Sequence, residues 1–473
     1  MIFNSIEFLI FFLIIFITYW CLNKKPLVFQ NILLLVASYF FYGWWDWRFL
    51  GLIAFSTIID FYIGKILSKT KQSKKRKILL FSSLAINLGF LGFFKYFNFF
   101  INSFEELLQN LGINFDTWTL KIILPVGISF YTFQTMSYTI DVYKEKIKHT
   151  DNFISFAVFV SFFPQLVAGP IERASNLLPQ FQKKRKFNLK QSINGCSLIV
   201  YGFFKKIVIA DRLAIYVNSV FNNVETANTI SLIIAAVFFA FQIYADFSGY
   251  SLIARGISKL IGFELMINFN KPYLATNISD FWRRWHISLS TWFKDYLYIP
   301  LGGNRVSKKR NYYNLMIVFV TSGLWHGANW TFVIWGFLHG LFQIIYLNFI
   351  RKSRTKSSEN KFRNFIKVVF VFTIVTLAWI FFRAENLNHA IVYFEKLIQF
   401  DLSFNLNQIT AQKGPLNLLL SFLAIILLYL TYLFPKDLKF KKEGQNITFI
   451  IIFILLIFII GVNGKEEFIY FQF

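Results

Sequence analysis

Long apolar runs recur from one end of the chain to the other, among them FLIIFITYW at 12–20 and ITFIIIFILLIFIIGV at 447–462. A bilayer core needs about 20 apolar helical residues to be crossed, because no water is present there to satisfy the backbone. No extended stretch has the polarity of a separate soluble domain, and 56% of the residues are hydrophobic while 15% are charged. Transmembrane strands would show alternating segments of about ten residues, and these runs are continuous. The expected fold class is therefore an all-α polytopic membrane protein.

The formal charge of +25, from 49 basic and 24 acidic residues, raises nucleic acid as a partner. The distribution argues against it. The basic residues cluster in short loops between apolar runs: KTKQSKKRK at 69–77, QKKRKFNLK at 182–190, SKKR at 307–310, RKSRTKSSENKFR at 351–363 and PKDLKFKKE at 435–443. Such loops mark the cytoplasmic side and suit anionic lipid headgroups. Candidate spans fall at 2–22, 28–45, 49–67, 78–100, 121–143, 195–217, 229–254, 312–328, 331–350, 364–383, 415–434 and 446–462. The first run lacks a basic start and a cleavage site, so it is taken as a span and not as a signal peptide. Counting from NKKP at 23–26 as cytoplasmic puts both termini outside. The apolar segment 153–168 has basic flanks on both sides and leads into AGP at 168–170, which predicts a re-entrant element.

Cys21 and Cys196 are far apart and suggest neither a disulfide framework nor a metal site. Of five histidines, His149 and His389 fall in loops. His286 lies in SDFWRRWHISLSTWFKDYLYIPLGGNR (279–305), and His326 and His339 lie in GLWHGANWTFVIWGFLHG (323–340). Ionisable residues at membrane depth are costly and mark functional sites, although one buried histidine is as well explained by packing. His339 is 13 residues past His326 and rotated well away on a helix, so it is assigned to structure. On a helix, Asp280 pairs with Arg283 and Arg284, and Trp282 with His286. Gln242, Asp246 and Tyr250 share a face in QIYADFSGYS, as an interhelical cluster or a substrate path. Two histidines without further ligands make a weak metal site. The chemistry they favour is acid–base: a neutral histidine removes a proton from a hydroxyl that attacks an acyl thioester.

The segments WRRWHISLSTWFKDYLYIPLGGNR, LWHGANWTFVIWG, PVGISFYTFQTMSYTIDVY (125–143), FPQLVAGPIER (163–173) and FFRAENL (381–387) together resemble the membrane-bound O-acyltransferase family. The branch is that of the bacterial alginate O-acetyltransferases and peptidoglycan O-acetyltransferases. The resemblance implies one membrane-embedded domain: a bowl of about 11–12 transmembrane helices plus re-entrant and interfacial helices. Peripheral helices would occupy 1–120, the catalytic core 121–383, and the last spans and tail 384–473. It implies that His326 is the catalytic base and that His286 is the second site histidine. Asp246, Trp282, Arg283, Arg284, Trp325 and Asn329 would bind substrate. The donor would be acetyl-CoA, with no tightly bound cofactor and no metal. The acceptor would be an extracytoplasmic polysaccharide, reached with a secreted or periplasmic esterase-like (SGNH-type) partner from the bacterial inner membrane. A teichoic-acid type D-alanyl transferase and a polysaccharide or lipid transporter are the alternatives.

The chain finishes FIYFQF. In the related D-alanylation system a companion protein ends similarly, and its tyrosine is thought to carry the acyl group. The resemblance thus makes Tyr470 an acyl-relay candidate. The plainer reading is an interfacial aromatic anchor. Eight residues beyond 462 reach up to about 26 Å, against roughly 15 Å to the bilayer midplane.

Overall fold

The computed structural model describes residues 1–113, 119–167, 169–350, 361–403, 405–440, 442–462 and 468–469. Within them the chain forms helices α1 (Ile6–Cys21), α2 (Leu27–Asp46), α3 (Leu50–Lys69), α4 (Ser73–Leu91), α5 (Phe97–Asn110), α6 (Ile128–Tyr143), α7 (Phe153–Ser161), α8 (Ala174–Phe181), α9 (Leu189–Phe203) and α10 (Asp211–Phe221). There follow α11 (Thr229–Leu260), α12 (Ile278–Arg284), α13 (Ile287–Phe293), α14 (Lys308–His326), α15 (Trp330–Ile345), α16 (Lys361–Arg383), α17 (Leu387–Gln399), α18 (Leu406–Ile409), α19 (Pro415–Leu430) and α20 (Glu443–Ile460). No strand occurs among the described residues.

Nine helical stretches among the described residues are long and apolar enough to cross a membrane; one of these, Leu27–Lys69, comprises α2 and α3. Their outward faces are apolar: on α20, Phe458 and Ile459 are 83% and 75% exposed, as lipid contact requires. Two of the twelve expected spans are not among the nine. The run at 121–143 becomes helical only at Ile128, and α6 is buried from Ile128 to Val142. The run at 312–328 belongs to α14, which opens on Lys308, Lys309 and Arg310. The apolar side chains of α6 go into protein contacts, which a hydropathy window does not distinguish from lipid contacts, whereas on α14 Tyr313 and Ile317 stay 68% and 42% exposed. The nine-residue α7 has a buried body and is about 14 Å long, too short to cross. The segment expected to be re-entrant is thus a short buried helix followed by turns at 163–167.

The chain divides into two compact units, Met1–Gly195 with Ala254–Met266, and Cys196–Ile253 with Ile267–Phe473. In the first, the buried Asp60 on α3 accepts hydrogen bonds from Ser83 (2.5 Å) and Asn87 (2.9 Å) of α4 and from Thr139 (3.2 Å) of α6. One carboxylate thus ties three helices, a form in which a buried charge is tolerated. The second unit holds all three histidines of the Trp-rich segments.

In that unit, α14 and α15 form a hairpin that brings backbones together at Gly323 and Gly336. A Cβ on Gly323 would collide with the Phe332 carbonyl oxygen and lie 3.3 Å from Gly336 Cα. This is the small-residue packing that lipid-embedded helices use. A second such crossing joins Gly202 of α9 to Gly249 of α11, where a Cβ on either would lie under 3 Å from the other's carbonyl oxygen. Directly after it, Phe204–Ala210 widens into a π-type turn.

Candidate active site

His326 is the last residue of α14. The helix stops there because Gly327 is extended (φ −160°, ψ 151°) and a side chain at 327 would collide with the Phe332 ring. Asn329 then caps α15 by accepting from the Thr331 N–H, and its amide donates to the Glu385 carbonyl at 2.8 Å. The WHGAN stretch is therefore the tight corner of the hairpin, and it turns His326 into the protein. His326 is 3% exposed. Its ring centroid lies 5.0 Å from Trp325, 5.1 Å from Trp335 and 5.2 Å from Phe382.

His286 comes from the break between α12 and α13. The backbone leaves the helix at Trp285, and His286 itself is left-handed (φ 40°, ψ 55°). That conformation is unusual for a residue with a side chain and collects at functional sites. The Trp282–His286 pairing on one helix, expected from the sequence, is thereby corrected. The helix ends before it can align them, and Trp282 packs instead on Phe319, Trp335 and His339.

The His286 ring is held by Asn268, whose Oδ1 lies 3.1 Å from Nδ1. The Ser288 N–H and hydroxyl also meet that atom, at 3.2 and 2.9 Å, and a backbone N–H fixes it as the oxygen. A carbonyl only accepts, so Nδ1 carries the proton and the lone pair is on Nε2. His286 lies outside the nine spanning stretches, and burial pushes its imidazole down to about 3. The ring is neutral near pH 7. The His286 and His326 centroids are 6.4 Å apart, with Trp325 5.9 Å from His286.

A cavity of about 720 Å³ lies in the same unit, and neither histidine is among its lining residues. It is lined by Ile287, next to His286, and by Ser322, one turn before His326. Trp282, Phe293, Leu315 and Phe319 supply apolar wall, and Arg283, Lys294 and Lys308 supply positive charge with no carboxylate among the lining residues. Such a lining suits an amphipathic anion. LGGNR is the turn it was expected to be, with Gly302 and Gly303 at positive φ (102° and 56°), and it presents Asn304 to the cavity.

The structure thus brings together His286, His326 and Trp325, and places Trp282 and Arg283 on the cavity. Other expected site residues are engaged locally. Arg284 pairs with Asp280 at 3.0 Å. Asp246 pairs with Lys206 at 2.8 Å, and Lys206 with Asp211 at 2.9 Å, all three buried. Tyr470 lies outside the described residues. His339 is enclosed by Phe281, Trp282, Trp335 and Trp379, with no hydrogen-bond partner among the described residues. No group of three or more metal-ligating side chains occurs among the described residues. Asn268 and Lys206 escaped the sequence reading. Nothing local marks Asn268. Lys206, within an otherwise apolar run, carried the signal of a charge at membrane depth.

Comparison with known proteins identifies the family. Residues 132–384 match the model of the membrane-bound O-acyltransferase family. The chain is 42% identical over 393 residues to a probable alginate O-acetylase of Azotobacter vinelandii, covering 82% of this chain and 76% of that protein. It is 37% identical over 421 residues to the peptidoglycan O-acetyltransferase of Helicobacter pylori, covering 83% and 78%. Identity to the teichoic acid D-alanyltransferase of Bacillus subtilis is 27% over 282 residues, covering 57% and 71%. With paired buried histidines in a multi-pass helical frame, the chain belongs to the membrane-bound O-acyltransferase family and is an O-acyltransferase.

Proposed function

We propose that this protein is a membrane O-acetyltransferase that takes acetyl from a cytoplasmic thioester, acetyl-CoA, and passes it toward hydroxyls of an extracytoplasmic polysaccharide such as alginate or peptidoglycan. The observation that carries this reading is the buried His286–His326 pair, and a cavity with a cationic, carboxylate-free lining that includes Ile287, next to His286, and Ser322, one turn before His326, supports it. Arg283, Lys294 and Lys308 would attract the donor's phosphates, and the apolar wall would receive its thioester arm. A ring nitrogen of His326 takes the proton of the acceptor hydroxyl. The oxygen then bonds to the acetyl carbon, the C–S bond breaks, and the departing thiolate recovers the proton. Neutral His286, fixed by Asn268, positions the reactants. The O-acetylase and O-acetyltransferase relatives named above favour acetyl over D-alanyl as cargo, since their identity is higher and their match longer.

Within this reading Tyr470 is the first acceptor and hands acetyl to an SGNH-type partner outside the membrane. Supporting it, the tail residues Phe468 and Ile469, which directly precede Tyr470, are buried at 1% and 8% exposure. A phenol has a pKa near 10, so it needs a base to attack, yet it leaves more readily than an alkoxide. Mass spectrometry of the C-terminal peptide during turnover tests the relay. A 42 Da adduct on Tyr470 and loss of polymer esters in Tyr470→Phe are expected. An unmodified tyrosine with full activity of Tyr470→Phe would remove the relay from the account.

A further inference from the structure

The C-terminal tail is held by charged groups that the chemistry above leaves unused. After α20 the chain runs along the π-type turn: the Ile460 carbonyl accepts from Arg212 at 2.9 Å, and the Val462 N–H donates to the Ile207 carbonyl at 3.3 Å. Farther on, the Ile469 N–H donates to Asp246 Oδ2 at 2.9 Å. The Phe468 ring sits over the Lys206 ammonium at 4.6 Å and edge-on to Tyr250 at 4.8 Å. One lysine thus serves both contacts: it fixes the carboxylate that receives the tail amide, and its ammonium receives the tail ring.

The fold explains why these groups meet. The Gly202–Gly249 contact lets α9 approach α11 at backbone distance. The π-type turn that follows buries Lys206 against Asp246, one turn before Tyr250 on the same helical face. Single-turn π segments of this kind often mark functional positions. Asp211, at the start of α10, holds Lys206 from the other side at 2.9 Å. Lys206 therefore keeps a carboxylate partner whatever happens at Asp246, and the site survives without its occupant. The neighbouring Phe247 packs on His286 at 4.7 Å, so the residue that receives the tail amide is next in the sequence to one that contacts His286.

We infer that Lys206, Asp246 and Tyr250 form a docking site for the C-terminal segment of this chain, selecting an aromatic residue followed by an available backbone N–H. Asp246 is then a positioning residue for the tail and not part of a polysaccharide path. The inference deepens the relay reading, because Tyr470 directly follows the docked Ile469 in the sequence, but it is read out separately.

The test is hydrogen exchange with peptide mass analysis on the full-length protein in lipid nanodiscs. Asp246→Ala removes the acceptor while Lys206 keeps Asp211. Ile469→Pro removes the donor and leaves the buried charges untouched, so it serves where the first variant folds poorly. Each is expected to speed exchange and protease cleavage of the tail by about tenfold or more, as loss of a charge-assisted hydrogen bond does, with α11 exchange unchanged. Asp246→Asn, which retains an acceptor, is expected to restore most of the protection. Docking with no acetyl on Tyr470 would support the site and end the relay alone. Wild-type exchange and cleavage of the tail in both Asp246→Ala and Ile469→Pro would overturn the docking site.

Discussion

At the scale of single residues, the proposed site rests on two histidines whose rings are fixed by different means. His326 is fixed by a helix end and a glycine that excludes any side chain. His286 is fixed by one amide oxygen. Asn268→Ala frees the His286 ring and is expected to lower kcat by roughly tenfold to a hundredfold, the usual cost of a misplaced group, with little change in donor KM; steady-state kinetics on purified protein checks it. Both histidines were legible in the sequence because they sit in Trp-rich motifs. Asn268 was not, because it lies 18 residues before its partner in an ordinary stretch. Glu172 offers a pH signature outside the spans. It is fully buried, accepting from the Met266 N–H and the Asn176 amide, each at 2.6 Å. Burial, the main cause, raises its carboxyl from 4.5 to about 7. Between those values the folded chain holds more protons than the unfolded one. Its stabilising contribution is complete below pH 4.5 and is lost as pH rises through 7. Thermal unfolding in wild type is expected to fall across that window by up to roughly 3 kcal/mol, and Glu172→Gln to flatten it.

At the scale of elements, glycine contacts decide which helices meet. Gly323→Ala would drive a methyl into the Phe332 carbonyl and is expected to cost about 1–3 kcal/mol and to move His326. Gly89→Ala in α4 meets nothing within 4 Å and should be neutral or slightly stabilising, as alanine for glycine in a helix is. Unfolding midpoints of the two variants in detergent compare them directly. Most spans could be read from hydropathy, since lipid-facing helices are apolar on their outer faces. The run at 121–143 belongs to a buried helix that is as apolar as a lipid-facing one, and the run at 312–328 to a helix that opens on three basic residues. The Trp282–His286 misreading has a local cause: the helix breaks at a left-handed histidine, which no propensity rule anticipates.

At the scale of the whole molecule, a basic, apolar chain is accounted for by membrane embedding, and its chemistry by a site within one of its two compact units. Composition revealed the class, and motif resemblance revealed the branch. The engagement of the tail by Lys206 and Asp246 was not readable, because contacts spanning 223 residues leave no local pattern. The central claim is that His326 is the base for acetyl transfer. It is tested most directly by following acetyl-CoA-dependent acetyl transfer in proteoliposomes carrying wild type or His326→Ala. The account predicts a loss of roughly a hundredfold to ten-thousandfold with an unchanged unfolding midpoint. Transfer at the wild-type rate by a folded His326→Ala protein would contradict it.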